Sequence, residues 1–110
     1  MEEKRRAPRF PLSGSAEIIS GNLVQPTMVT ELSLYGCYLL ATPTALARGT
    51  RVTVKIFVDG EFFEAVATVL YSRPDLGIGL CFREVKPAFY NVMQKWLGKA
   101  SERSNTRSHD

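Results

Sequence analysis

Histidine is nearly absent from this chain, and cysteine is scarce. The 110 residues include one histidine, His109, and two cysteines, Cys37 and Cys81, with no CxxC pair. Protein metal sites are built mainly from clusters of these residue types with acids, so the sequence predicts no metal site and no cofactor. Nucleophile motifs and glycine-rich phosphate loops are missing too. These absences favour a binding protein over an enzyme.

Long apolar runs and a strong excess of charge are also missing. No segment approaches the roughly 18 apolar residues of a membrane span, and the N-terminus is charged where a secretory signal would be apolar. We therefore expect a cytoplasmic protein with no membrane insertion, in which Cys37 and Cys81 are reduced, buried thiols. The net charge of +3 is too small for a nucleic-acid coat, which argues against nucleic acid as the partner.

Apolar and polar residues alternate over much of the chain, which is typical of strands. In RVTVKIFV, Val52, Val54, Ile56 and Val58 share one face, and Asp-Gly at 59–60 is a strong hairpin signal before the next strand. The segments that predict the six strands are SAEIIS, TMVTEL, GCYLLA, RVTVKIFV, EFFEAVATVLYS and IGLCF. Six short strands with brief turns predict a mainly β fold, a closed or nearly closed antiparallel barrel.

The apolar period changes near the C-terminus. In KPAFYNVMQKWLG the apolar residues recur at helical spacing, and Gly98 suits a left-handed helix end. We expect this helix to pack on the barrel. The predicted organisation is a flexible basic arm at residues 1–12, a barrel with its C-terminal helix at 13–98, and a disordered polar tail at 99–110.

Arginine is concentrated just before the first predicted strand, in RRAPRF. Arg5, Arg6 and Arg9 lie within five positions of one another. Guanidinium groups bind phosphate oxygens in bidentate fashion, pair with the O6 and N7 atoms of guanine, and stack on base faces. The cluster therefore predicts a site for a compact anion with phosphates and purine edges, although it also fits a solvated arm.

A second stretch, ELSLYG, offers complementary chemistry. Glu31 and Ser33 would project from the same face of an extended strand, and a carboxylate can accept from the N1–H and exocyclic amine of guanine. Gly36 permits a turn or a close backbone approach that a side chain would block. Tyr35 and Tyr38 offer stacking surfaces, although aromatic residues in strands commonly serve as core or cross-strand partners.

The two stretches together resemble the PilZ domain family, small cytoplasmic bacterial receptors for cyclic di-GMP. Arg5-Arg6-Ala7-Pro8-Arg9 fits the RxxxR motif, and Glu31-Leu32-Ser33-Leu34-Tyr35-Gly36 nearly fits (D/N)xSxxG. The likeness covers about residues 4–97. One position departs from the pattern: Glu31 stands where the family has Asp or Asn, which moves the acceptor outward by one methylene.

This resemblance implies a six-stranded split-barrel fold with a C-terminal helix and a cyclic di-GMP site. Arg5 and Arg9 would hold phosphates and guanine edges, and Arg6 would add charge or stack. Ser33 would hydrogen-bond the ligand beside Glu31, and Gly36 would leave space for the backbone.

The resemblance also implies a signalling mechanism in which the ligand orders the arm onto the barrel and changes a surface offered to a protein partner in trans. Two alternatives stay open. One is a degenerate adaptor that binds a protein without the nucleotide, because Glu31 has weakened the site. The other is a small β-barrel that binds nucleic acid through its basic arm.

Overall fold

Strands form where apolar and polar residues alternate, and the helix forms where apolar residues recur at helical spacing. The computed structural model describes the backbone of residues 8–108 and the side chains of residues 8–102. Within that range the elements are β1 (Phe10–Ser20), β2 (Leu23–Leu32), β3 (Gly36–Leu39), β4 (Arg51–Val58), β5 (Glu61–Arg73), β6 (Gly77–Glu84) and α1 (Pro87–Ser108).

The six strands close into a barrel in the order β1-β2-β3-β6-β5-β4, with β4 returning to pair with β1. Every pairing is antiparallel. Four pairings join consecutive strands, whereas β3–β6 and β1–β4 join strands that are distant in sequence. The predicted fold class, a six-stranded antiparallel barrel with a C-terminal helix, is confirmed.

The inward faces of the strands form the core, as strand β4 illustrates. Val52, Val54 and Ile56 are buried, and the intervening residues face outward. The predicted hairpin follows at Asp59 and Gly60, whose φ angles are 51° and 79°. Positive φ at both central residues is what a two-residue type I′ turn requires.

Helix α1 packs its apolar stripe against the barrel, as predicted. Met93 and Trp96 are buried, and the Phe63 ring contacts those of Phe89 and Trp96, each at a centroid distance of 6.2 Å. The neighbouring strands are β5 and β1. Across the described residues, no helix is long and apolar enough to span a membrane.

Two predicted boundaries differ from the structure. Helix α1 does not stop at Gly98, whose φ is not positive, but continues through the buried Ala100 to Ser108. The predicted disordered tail at 99–110 is therefore helical as far as Ser108. Strand β1 begins at Phe10, inside the predicted arm at 1–12, because Leu12 packs against the core.

The two cysteines differ in burial. Cys37 is fully buried, as predicted, and burial raises the pKa of its thiol well above the usual range. Cys81 is only half-buried, because its neighbour Leu80 takes the inward position of β6. Both are free thiols, so the prediction of two buried thiols is wrong for Cys81 alone.

Glu61 fastens α1 to the start of β5. Its carboxylate accepts a hydrogen bond from Lys95 Nζ at 2.6 Å and another from the Trp96 indole N–H at 3.0 Å. These bonds, that of Lys95 first, lower the pKa of the Glu61 carboxyl below its usual value. The charged form therefore stabilises the folded state, and the helix depends on a polar clamp as well as on its apolar stripe.

We expect Glu61→Gln to lower stability at pH 7, because the amide keeps an acceptor for the indole and loses the charge. A carboxyl whose folded pKa is lowered contributes fully above its unfolded value of about 4.3 and loses that contribution as the pH falls through the folded value. The difference in unfolding free energy between wild type and Glu61→Gln, measured by urea unfolding, should therefore shrink toward pH 3. Glu84→Gln, which breaks an exposed ion pair with Arg51, is the matched control and should change little. Equal stability of Glu61→Gln and wild type throughout would contradict the clamp.

Candidate functional site

The second motif forms the turn between β2 and β3. The Ser33 hydroxyl accepts hydrogen bonds from the N–H groups of Tyr35 and Gly36, both at 3.2 Å, and donates at 3.4 Å to the Gly36 carbonyl. Ser33 is 5% exposed. The prediction that Ser33 shares a face with Glu31 is wrong, because β2 ends at Leu32 and the turn replaces the strand alternation. Ser33 shapes the turn in this structure, and its predicted contact with a ligand stays a prediction.

Gly36 allows β3 to lie unusually close to β6. A Cβ at this position would lie 2.0 Å from the carbonyl oxygen of Leu80. The turn is pinned beside it by the Phe82 N–H, which donates to the Tyr35 carbonyl at 2.8 Å. The close backbone approach predicted at Gly36 is confirmed between two strands of the barrel.

A bulge in β2 turns Glu31 toward the outside of the barrel. Val29 pairs with Leu39 and Glu31 pairs with Tyr38, so the register shifts at the residue between them. Both Val29 and Leu32 are buried, which strict alternation would forbid for residues three apart. The extra residue resolves this conflict and leaves the Glu31 carboxylate half-exposed on the outer face.

Arg9, from the first motif, lies against this outward carboxylate. Its Nε is 3.5 Å from Glu31 Oε1, and its guanidinium carbon is 4.5 Å from the centre of the Tyr38 ring. The side-chain contact with Tyr38 is the main cause that raises the pKa of Arg9, and the charge of Glu31 adds to it. The two predicted motifs therefore meet, with Arg9 fully charged above an aromatic ring.

The same face continues across β6 to β5. Tyr38 pairs with Gly79, and Gly79 pairs with Tyr71, so Glu31, Tyr38, Gly79 and Tyr71 form an outer-face row across four strands. At the usual strand spacing the row is about 14 Å long. Burial raises the pKa of the Tyr71 phenol, Tyr38 and Glu31 raise it further, and the charge of Arg9 opposes them.

Sequence reasoning found part of this row. Glu31 and Arg9, one from each motif, lie next to each other, and their ligand roles stay predictions. Arg5 and Arg6 lie outside the described residues, and their roles stay predictions too. Tyr38 was expected mainly as a cross-strand partner, and Tyr71 and Gly79 were missed. A glycine inside an apolar strand, as in IGLCF, is a signal that another group approaches closely, and it could have identified Gly79.

A family model described as the PilZ domain matches residues 3–98, most of the chain. The chain belongs to the PilZ domain family. A search of curated proteins finds no match. The outer-face row and Arg9 therefore lie in a PilZ domain whose second motif carries Glu31 at its first position.

Solved PilZ domains share its fold at low sequence identity. One is the PilZ domain of YcgR from Escherichia coli, determined with c-di-GMP: its TM-score is 0.73 at 15% identity, covering 98% of this chain and 99% of that one. Another is the PilZ domain of CeSA from a cellulose-synthesizing bacterium, with a TM-score of 0.65 at 20% identity, covering 83% and 96%. At these identities the likeness establishes the fold alone.

We expect Gly36→Ala to destabilise the domain by about 1–3 kcal/mol, because the added methyl meets backbone that cannot rotate away. Urea unfolding measures the loss. Gly98→Ala is the matched control, since a Cβ there meets nothing within 4 Å, and it should be neutral or slightly stabilising. Wild-type stability in Gly36→Ala would show that the strands have room to separate.

Proposed function

We propose that this PilZ domain is a cyclic di-GMP receptor of the bacterial cytoplasm that passes its signal to a protein partner. The observation that carries the proposal is the position of Arg9, which lies on the outer face against Glu31 and Tyr38. The arginine of the first motif and the acid of the second are thus side by side. The c-di-GMP in the YcgR structure supports the choice of ligand.

The chemistry of the pair suits both ends of a guanine nucleotide. The Arg9 guanidinium donates to phosphate oxygens or to guanine O6 and N7, and the Glu31 carboxylate accepts from N1–H and the exocyclic amine. In this proposal Arg5 and Arg6 bind the remaining phosphate or base. Ser33 and Gly36 hold the turn that fixes Glu31, and the Ser33 hydroxyl adds a ligand contact.

Arg9 can exchange its ion-pair partner, Glu31, for a phosphate of the ligand. Its side chain is 52% exposed and that of Glu31 is 39% exposed. Ion pairs at such exposure contribute roughly 0–1 kcal/mol, whereas charge-assisted bonds to a phosphate in a bound site are stronger. A ligand phosphate can therefore displace the Glu31 carboxylate at small cost, and Glu31 then faces the base.

The signal in this mechanism is the placement of the N-terminal arginines. A ligand that bridges Arg5, Arg6 and Arg9 to the outer-face row holds the chain before β1 against the barrel. That surface changes in shape and loses positive charge to the phosphates. A protein partner that binds the ligand-free and the ligand-bound surface with different affinity thereby responds to the ligand.

We expect cyclic di-GMP to bind wild type saturably in calorimetric titration, and Arg9→Ala to weaken binding at least tenfold through loss of a charge-assisted contact. Arg51→Ala is the matched control, because it removes one similarly exposed cation, at the start of β4. Linear GMP dimers should compete poorly. The same titration gives the stoichiometry.

The rival functions predict different results. A nucleic-acid-binding barrel would bind many oligonucleotides with affinity that falls steeply with salt, and would not select one cyclic dinucleotide. A degenerate adaptor would give neither heat nor a shift in melting temperature at high ligand concentration. Equal binding by Arg9→Ala and wild type would contradict the proposed role of Arg9.

Glu31→Asp separates a weakened receptor from a degenerate adaptor. The shorter carboxylate restores the family's second motif, so we expect affinity to rise by up to about tenfold, the equivalent of one well-placed hydrogen bond. Glu31→Ala serves as the control that removes the acceptor altogether. If only Glu31→Asp binds and wild type does not, the natural chain is an adaptor.

A further inference from the structure

Gly79 has a neighbour that no other glycine of the described chain has. A Cβ at position 79 would lie 2.5 Å, 2.8 Å and 3.0 Å from three ring atoms of Tyr71. The aromatic ring therefore occupies the place where any other residue would carry its side chain. At Gly36 and Gly77, by contrast, the nearest atom is a backbone carbonyl oxygen.

A bulge in β5 brings Tyr71 to this position. Val69 pairs with Leu80 and Tyr71 pairs with Gly79, so the register shifts at Leu70. Val69 is buried, and regular alternation would send Tyr71 inward beside it. The bulge instead turns Tyr71 outward, onto the face of Tyr38.

We propose that Gly79 is a positioning residue that holds the Tyr71 ring across β6, where the ring stacks on a purine base of the ligand. This inference rests on the proposed function. Tyr38 already carries Arg9 over its face, so Tyr71 is the aromatic surface at the other end of the outer-face row. Tyr71 is half-buried, which leaves part of the ring accessible to a base. The edge of the base hydrogen-bonds to Glu31 or Arg9, and its face stacks on the Tyr71 ring.

The test is a double-mutant cycle measured by calorimetry with cyclic di-GMP. Tyr71→Ala should weaken binding roughly five- to one-hundredfold, the range for loss of one base–aromatic stack. Gly79→Ala should weaken it in the same direction, because the methyl displaces the ring. Gly79→Ala added to Tyr71→Ala should change affinity by less than about twofold, since no ring remains to displace. Gly98→Ala is the matched glycine control and should bind as wild type.

A second readout follows the ring itself. In NMR spectra the Gly79 α-protons of wild type should be shifted upfield by the Tyr71 ring, and Tyr71→Ala should abolish that shift. The folded state should survive Gly79→Ala, because the methyl meets the mobile end of a side chain rather than backbone. Melting temperature checks this.

Each outcome decides between the two proposals. If wild type binds through Arg9 but Tyr71→Ala and Gly79→Ala bind equally well, the proposed function stands and this inference fails. It also fails if Gly79→Ala weakens binding as much without the ring as with it. If wild type does not bind, the proposed function fails, and the ligand role of Tyr71 fails with it.

Discussion

Strands β3 and β6 approach each other more closely than side chains would permit, and both the barrel and the candidate site depend on that approach. The four residues of β3 link the β1–β2 hairpin to the β5–β6 hairpin, so their pairing with β6 closes one side of the barrel. Gly36 makes the contact possible at one end of β3, and the turn built by Ser33 sets its position. The same pairing places Tyr38 beside Gly79. A residue such as Gly36 can therefore belong to a binding motif while its physical work is done inside the fold.

The sequence predicted the elements of this fold well because burial and alternation coincide in most strands. The faces of β4, the Asp59–Gly60 turn and the helical stripe with Trp96 all follow from local pattern. The two boundaries failed for a tertiary reason. Leu12 packs against the core and Ala100 is buried, and this burial accompanies the extension of each element past its local stop signal.

The candidate site was harder to predict, because two bulges decide which side chains face outward. Alternation alone would place Leu32 outside and Tyr71 inside, and the extra residues in β2 and β5 reverse both positions. A bulge is a property of two paired strands, so one strand's sequence does not reveal it. The motifs pointed to Arg9 and Glu31, which lie side by side, but the aromatic part of the row became visible only with the strand register.

Glu31, where the sequence departs from the second motif, pairs with Arg9 in this structure. Its extra methylene extends the carboxylate toward Arg9, and the ion pair holds the guanidinium over Tyr38. An aspartate would reach less far, so the identity of residue 31 and the position of Arg9 are coupled. The pair is exposed and therefore weak, whereas the ligand of the proposed function would offer Arg9 charge-assisted bonds to its phosphates. In the proposed function, Glu31 therefore holds Arg9 where a ligand phosphate would bind it, and the longer side chain displaces the acceptor that the guanine base would meet.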